Sequence, residues 1–318
     1  YGVGFYYIPG TETCLKVSGY IRYDIGAGAH GLENVLDKGS IADAIAADDE
    51  SLLETNDAWY KRARFQLRVD ARSETELGTL RAYAAINFNY DTTVNDVWLS
   101  DLVGDVEEDI FFGGVTGTST NIGIEHAYIE LGGFRAGRTD SLFSTFTGYT
   151  GGISNDGFGV PYGPFDTHQL AYTFNAGNGF TAAIALETGG GDDSYAGVDN
   201  TDSNVYTIDS YIPHVVAGVG YTGGWGGVSL VGGYDSVWEE GAIKGRVDIN
   251  VNDALSFWVM AGWASNDGFN YYAPWGGDWA VWVGGAWAMN EKATANLEIG
   301  YDDSETFKAA VNVAYELV

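Results

Sequence analysis

From Arg62 to Arg72 the chain alternates strictly between two kinds of residue. The even positions read Arg62, Arg64, Gln66, Arg68, Asp70 and Arg72, while the odd positions between them read Ala63, Phe65, Leu67, Val69 and Ala71. A repeat of two is the period of a β-strand, whose side chains leave on opposite faces; a helix would repeat at about 3.6. Four arginines on one face of one strand are more than a merely solvated surface calls for, and the other face is wholly apolar. A wall standing between hydrocarbon and water needs both faces at once.

The same alternation recurs along the chain. Near Leu15 to Ile25, Leu15, Val17, Ile21, Tyr23 and Ile25 share one face, and Lys16, Ser18, Tyr20, Arg22 and Asp24 the other. A third stretch, Leu80 to Tyr90, sets Ala82, Ala84, Ile86, Phe88 and Tyr90 against Arg81, Tyr83, Asn87 and Asn89. Further strands are expected at Ile122–Leu131, Phe134–Phe143, Gln169–Asn175, Phe180–Glu187, Val215–Tyr221, Val228–Val237, Ala242–Asn250, Leu255–Ala264, Trp279–Met289, Ala293–Tyr301 and Phe307–Glu316, fourteen strands with the first three. Glycine-rich joints such as Gly132-Gly133 and Gly177-Asn178-Gly179 supply the positive φ angles of tight hairpins.

Joint length carries separate information. Short joints at Ser73–Gly78, Gly132-Gly133, Ala176–Gly179, Thr222–Gly227, Val251–Ala254 and Asn290–Lys292 mostly alternate with long ones at Ala29–Asp57, Asp91–Asn121, Ser144–Thr167, Gly189–His214 and Asn266–Asp278. Short turns at one end and long loops at the other describe an all-β, antiparallel up-and-down transmembrane barrel of the outer-membrane type. No Pro/Ser-rich linker interrupts the series, so residues 1–318 read as a single domain. Tyr23, Phe88, Tyr90, Phe174, Tyr221, Tyr234, Trp263, Tyr301 and Phe307 fall on the outward phase near strand ends, where interfacial aromatic girdles belong.

Composition removes several function classes. The 15 Lys plus Arg against 44 Asp plus Glu give a formal charge of −29, which argues against nucleic-acid binding. No apolar run is long enough for a transmembrane helix. The single Cys14 has no CxxC or His/Cys cluster around it, so neither zinc nor redox chemistry is expected, and it reads as a small apolar strand residue. His30, His126, His168 and His214 are scattered, and no Gly-x-Ser-x-Gly or HExxH motif occurs. Neither an enzyme nor a bound cofactor or metal is expected. Much of the acidic surplus sits in the long joints, at Asp48-Asp49-Glu50, Asp105 to Asp109, Asp192-Asp193, Asp199 and Asp202. These acids read as cation attraction at the outer mouth, as divalent-ion bridges to lipopolysaccharide, or as solvated loop.

Several blocks carry a family resemblance. Gly4 to Asp24 (GFYYIPGTETCLKVSGYIRYD), Ser73 to Leu80 (SETELGTL), Ala127 to Arg138 (AYIELGGFRAGR), Phe143 to Tyr149 (FSTFTGY), Gly276 to Trp282 (GGDWAVW) and Val313 to Val318 (VAYELV) resemble the trimeric general porins of alphaproteobacteria, the Brucella and Rhizobium type. The resemblance implies a Gram-negative outer-membrane barrel of about 16 strands, assembled as a homotrimer in lipid and lipopolysaccharide, through which small hydrophilic solutes and ions diffuse passively. It also implies a segment before Tyr1 with a second cysteine as partner for Cys14, and two strands beyond Val318. Fourteen strands alone would leave two unpaired edges in hydrocarbon.

The expected mechanism lies in the charge map. Ten basic residues (Lys16, Arg22, Lys61, Arg62, Arg64, Arg68, Arg72, Arg81, Arg135 and Arg138) lie in or beside the first five strands, mostly on the inward phase in strands one to three. Lys16, Arg22, Arg62, Arg64, Arg68, Arg72, Arg81 and Arg135 are therefore expected to form a basic pore wall, partly balanced by Asp24 and Asp70. The resemblance places an inward-folded constriction loop at 144–167, which carries Asp156 and Asp166. Acid facing base across a waist would set up a transverse field that filters by size, charge and dipole, with a modest cation preference overall. Two alternatives remain: a sugar-selective channel with Tyr20, Tyr83 and Tyr128 as stacking faces, or a structural or adhesive barrel displaying its loops. In the fifth strand, strict alternation puts Arg135 inside and Arg138 outside, unless a bulge intervenes or Arg138 lies beyond the lipid. Small outward residues at Ala127 and Ala136 favour close packing between barrels.

Overall fold

The computed structural model describes residues 2–28, 31–47, 50–98, 111–152, 160–190, 205–265 and 268–317. In chain order the elements are β1 (Tyr6–Tyr7), β2 (Thr13–Gly26), β3 (Leu32–Leu36), α1 (Lys38–Ala47), β4 (Thr55–Ala58), β5 (Tyr60–Thr75), β6 (Gly78–Trp98), β7 (Phe111–Leu131) and β8 (Phe134–Thr139). They continue as α2 (Leu142–Thr147), β9 (Thr167–Asn175), β10 (Phe180–Glu187), β11 (His214–Gly223), β12 (Gly226–Asp235), β13 (Glu240–Asn252), β14 (Leu255–Ala264), β15 (Trp279–Ala288), β16 (Ala293–Asp302) and β17 (Phe307–Tyr315). Fifteen strands hydrogen-bond in the order β1-β2-β5 and then β6 to β17 in sequence, while β3 and β4 form a separate antiparallel ribbon. Each strand thus pairs with its chain neighbours, as an up-and-down meander requires. Among the described residues no helix is long and apolar enough to cross a membrane.

All fourteen expected strands are present, as β2 and β5 to β17, with three differences. β6 and β7 run well into the stretch read as the long joint Asp91–Asn121. Thr92, Thr93 and Val94, then Val115, Thr116, Thr118 and Thr120, are β-branched strand formers whose hydroxyls mimic a loop composition. The strand expected to reach Phe143 stops at Thr139, because Ser141 caps α2 by accepting from the Phe143 amide at 3.1 Å. The joint Ala29–Asp57 holds β3, α1 and β4; Asp37 caps α1 through the amides of Gly39 (2.7 Å) and Ser40 (3.0 Å).

The chain gathers into two compact units, Tyr1–Ala71 with Tyr83–Glu125, and Arg72–Ala82 with His126–Val318. In the first, the phases of β5 differ most over its first half: Ala63 and Phe65 are exposed, whereas Gln66 and Asp70 are buried and Arg62, Arg64 and Arg68 half-buried, as are Leu67 and Val69. In the second, Val259, Val281, Val283, Leu297, Ile299, Val311 and Val313 are exposed, while Lys244, Glu298 and Lys308 are fully covered. A protein dissolved in water arranges these residues the other way round. The covered face of this unit packs Leu142 and Phe143 of α2, Val160 and Tyr162, and Tyr271, Tyr272 and Trp275 of the β14–β15 joint against Ala183, Ala185, Val216, Val231, Met260 and Trp282. β7 and β8 are joined by Gly132-Gly133, both at positive φ (57° and 92°) with Leu131 paired to Phe134, a two-residue turn that only glycine enters without strain.

Candidate functional site

Strand parity brings the basic residues to one face. In the first unit, Arg22 pairs with Asp24 at 2.9 Å and Arg62 with Asp91 at 2.6 Å, Arg62 also lying 5.5 Å from the Tyr60 ring centroid. Arg64 donates to Asn89 at 2.8 Å, Arg68 donates to Gln66, and Gln66 donates to Asn87 at 2.9 Å, which in turn donates to Glu125. Lys16 stands 5.9 Å from the Phe5 ring centroid. Arg62 and Arg64 are thus held by side chains of β6, and Arg22 and Arg68 by residues two positions away on their own strands, which share a face because side chains alternate.

In the second unit Arg72, Arg81 and Arg135 line a cavity of about 440 Å³ together with Glu130. Glu130 accepts from Arg81 at 2.8 Å and from Arg135 at 2.8 and 2.6 Å. The Tyr128 ring has the Arg81 guanidinium 5.5 Å from its centroid and that of Arg135 at 4.8 Å. Tyr20 has Arg68 over its ring at 5.4 Å. The rings of Tyr20 and Tyr128, considered as sugar platforms, therefore already carry guanidinium partners.

The segment that follows β8 is fastened to the covered face largely through its backbone. Glu187 accepts from the Ser141 hydroxyl and the Leu142 amide, each at 2.7 Å, and Gln169 donates to the Asp140 carbonyl at 3.1 Å. Farther along, Arg246 donates to the Tyr149 carbonyl at 2.5 Å, Asn312 to Gly152 at 2.7 Å, Trp282 to Val160 at 2.9 Å and Lys244 to Tyr162 at 2.5 Å. β13, β15 and β17 each supply a donor, and carbonyl acceptors suit this role because every residue has one, whatever its side chain. Asp156 lies outside the described residues. Asp166, at a φ of 35°, sits 3.4 Å from Arg138. Arg138 is paired with Ala127 and His168 in unbroken register, so no bulge intervenes and it shares the phase of Phe134 and Ala136 at the strand end.

Sequence reasoning missed Lys244, Arg246, Glu187 and the Glu298–Lys308 pair. For the first two a signal existed: Ile243-Lys244-Gly245-Arg246-Val247-Asp248-Ile249 repeats the alternation of Arg62–Arg72 in miniature. The expected girdle residues are exposed except Phe88, which is half-buried and stacks on Phe65 at 5.7 Å. Cys14 is a free, partly buried thiol on β2. Among the described residues no group of His, Cys, Asp and Glu could hold a metal ion.

Strands with an apolar exposed face and an ionic opposite face, one long stretch of which receives a folded-in segment, define a membrane-spanning β-barrel channel. A family model described as a porin subfamily matches residues 1–318. Porin Omp2a of Brucella ovis is 45% identical over 321 residues, covering 100% of this chain and 83% of that protein. Porin Omp2b of Brucella neotomae is 43% identical over 320 residues, covering 100% of this chain and 78% of that protein. Among solved structures, the outer membrane channel DcaP of Acinetobacter baumannii shares the fold, with a TM-score of 0.62 at 17% identity over 98% of this chain and 89% of that one. The chain belongs to the porin subfamily and is a β-barrel channel protein of the Gram-negative outer membrane.

Proposed function

We propose that the protein is a general diffusion porin in which the basic wall of Lys16, Arg22, Arg62, Arg64, Arg68, Arg72, Arg81 and Arg135 faces an acidic constriction segment carrying Asp156 and Asp166. The supporting observation is the fastening of the chain after β8: Arg246, Trp282, Lys244 and Asn312 reach four of its carbonyls from the strand face behind it. A segment held in this way narrows the passage without moving aside for each solute. Fixed charges on either side of a narrow waist orient water and dipolar solutes, so passage is sorted by size, charge and dipole rather than by a chemical step. Three barrels assemble into a trimer in lipid and lipopolysaccharide, single domains each with its own channel, and net selectivity is modestly cationic.

Single-channel conductance in planar bilayers at two salt gradients tests this reading. The expected record has triplet steps, a linear relation of current to voltage and a small reversal potential. Replacing Asp156 and Asp166 together by asparagine is expected to shift ion preference or conductance; an unchanged record in that variant would overturn the role given to the two acids. Saturable sugar flux would favour a selective channel instead.

A further inference from the structure

The cavity walled by Arg72, Arg81, Arg135 and Glu130 lies wholly within the second unit. Strand parity puts it on the ionic face: Arg81 alternates with the exposed Leu80, Glu130 with Ile129, Arg135 with Phe134, and Gln169 and Ala171 with Leu170 and Tyr172. Its height follows from the hairpins. Arg72 and Thr79 stand on either side of the joint where β5 ends at Thr75 and β6 begins at Gly78, and Gly132-Gly133, which joins β7 to β8, lines the cavity as well. Short turns mark the periplasmic end of an outer-membrane barrel, so the cavity lies toward that end. Leu142 of α2, where the folded-in segment begins, also lines it.

The lining carries three guanidiniums against one carboxylate. Glu130 accepts from both Arg81 and Arg135, which cancels one charge and aims two guanidiniums at one place. Arg135 uses Nε and Nη2 on that carboxylate, and its Nη1 has no hydrogen-bond partner among the described residues. The side chains of Arg81 and Arg135 remain 24% and 32% exposed, so an entering solute reaches them. Across the β8–β9 pair Arg135 faces Ala171, whose methyl leaves room beside the guanidinium, and Gln169 stands two residues farther along the same strand and face. Such diagonal neighbours are about 7 to 8 Å apart. The Gln169 amide nitrogen donates to the Asp140 carbonyl at 3.1 Å and to Glu187 at 3.4 Å, which fixes which end of the amide is oxygen. Gln169 is 5% exposed, and its Oε1 is buried with no hydrogen-bond partner. A buried acceptor on the wall of a cavity is satisfied by a donor brought into that cavity.

We infer that this cavity is a binding site for a small hydroxylated carboxylate, the chemistry of a sugar acid. Its carboxylate meets the guanidiniums of Arg81 and Arg135, and a hydroxyl a few carbons away donates to Gln169 Oε1. Thr173, on the same face of β9, offers a further hydroxyl contact. The planar fork of a guanidinium matches the two oxygens of a carboxylate, and Glu130 shows that these two arginines hold one. A neutral sugar brings no anion and an unsubstituted fatty acid no hydroxyl, so neither satisfies both halves of the site. The inference deepens the porin reading, on which it rests, by naming the class of solute that the periplasmic end of the channel holds in passing. A transverse field is blind to hydroxyls, whereas this site reads them.

The test records open channels of the full chain in planar bilayers in potassium chloride while gluconate, butyrate or glucose is raised in either compartment. Gluconate is expected to interrupt the current saturably in the millimolar range, about three- to tenfold more tightly than butyrate, with little effect of glucose. Arg135→Lys keeps the charge and loses the fork, and is expected to weaken gluconate about fivefold. Gln169→Met removes the acceptor and is expected to bring gluconate down to the level of butyrate; Thr173→Val, at an exposed position, is expected to remove a smaller part of the same preference. Gluconate and butyrate blocking alike, or gluconate held equally by Arg135→Lys and the parent, would overturn the site, because a wall acting through charge alone gives those results. They leave the porin reading standing, whereas a parent chain that forms no conducting channel counts against that reading. Saturation-transfer NMR with the same three solutes on the protein in detergent reads the gluconate preference without any current, so the site stands or falls on it in either case.

Discussion

The Lys244 amine, fully shielded from solvent on β13, donates to the Tyr162 carbonyl at 2.5 Å and stands 4.5 Å from the Phe143 ring centroid. One side chain thereby fixes both α2 and the chain that follows it to the wall behind. A buried ammonium carries a large desolvation cost, so its place here depends on the carbonyl and on the two aromatic faces of Phe143 and Tyr162.

Lys244→Met keeps the stem and removes the donor. The Tyr162 carbonyl then loses this partner, at a cost of about 1 to 3 kcal/mol to the fastening of the segment. The expected outcome is a channel with the parent's pattern of conductance steps and a noisier open level, read in planar bilayers. A trace indistinguishable from the parent would mean that the remaining bonds from Trp282, Arg246 and Asn312 hold the segment without it.

Tyr272, in the β14–β15 joint, is buried and donates to the Glu187 carboxylate at 3.1 Å. Burial, and next the negative charge of Glu187, push its phenol well above the usual tyrosine value. A raised folded-state value means that above about pH 10 the unfolded chain gives up a proton that the folded chain retains. The contribution is therefore fully present below that pH and is lost as pH rises further. Unfolding midpoints between pH 7 and 11 are expected to be flat and then fall, and Tyr272→Phe is expected to shed part of the alkaline fall. Parallel curves for parent and variant would show that another group titrates there.

On β16 and β17, Glu298 and Lys308 form a fully covered ion pair at 2.5 Å. Removing one partner strands the other charge in the interior, whereas removing both strands none. Glu298→Gln and Lys308→Met are each expected to cost roughly 3 to 5 kcal/mol, and the two changes together much less than their sum. A double-mutant cycle on unfolding in denaturant checks this, and additive single effects would contradict a coupled pair.

Where side chains alternate strictly, the sequence was legible. Arg62–Arg72, Leu15–Ile25 and Leu255–Ala264 each put every second residue on one face, and β5, β2 and β14 follow. Legibility failed where local chemistry overrode the period. Thr92 and Thr116 look like loop residues and extend β6 and β7; Ser141 turns a strand pattern into a helix cap. The alanine-rich Ser40–Ala47 after Asp37 was a readable helix signal hidden in a joint judged by length alone. Pairings across distant strands were not legible at all. Nothing near Trp282 in the chain points to the Val160 carbonyl, because that contact depends on how far a loop folds back, a property of the assembled wall.

The cluster of Arg81, Arg135 and Glu130 offers the sharpest electrostatic prediction. One carboxylate accepts three bonds from two guanidiniums, which keeps both of them pointed at one place and cancels one of their charges. Glu130→Gln preserves the shape, leaves a hydrogen-bond acceptor, and uncovers one unit of positive charge in a cavity already lined by Arg72. If the cavity borders the aqueous path, the reversal potential is expected to move toward anion preference. The shift should be largest in dilute salt and shrink as the Debye length falls from about 10 Å at 0.1 M to about 3 Å at 1 M. A variant that folds, inserts and conducts with the parental reversal potential at every salt concentration would place this cluster off the conduction path and restrict the working wall to the arginines of β2 and β5.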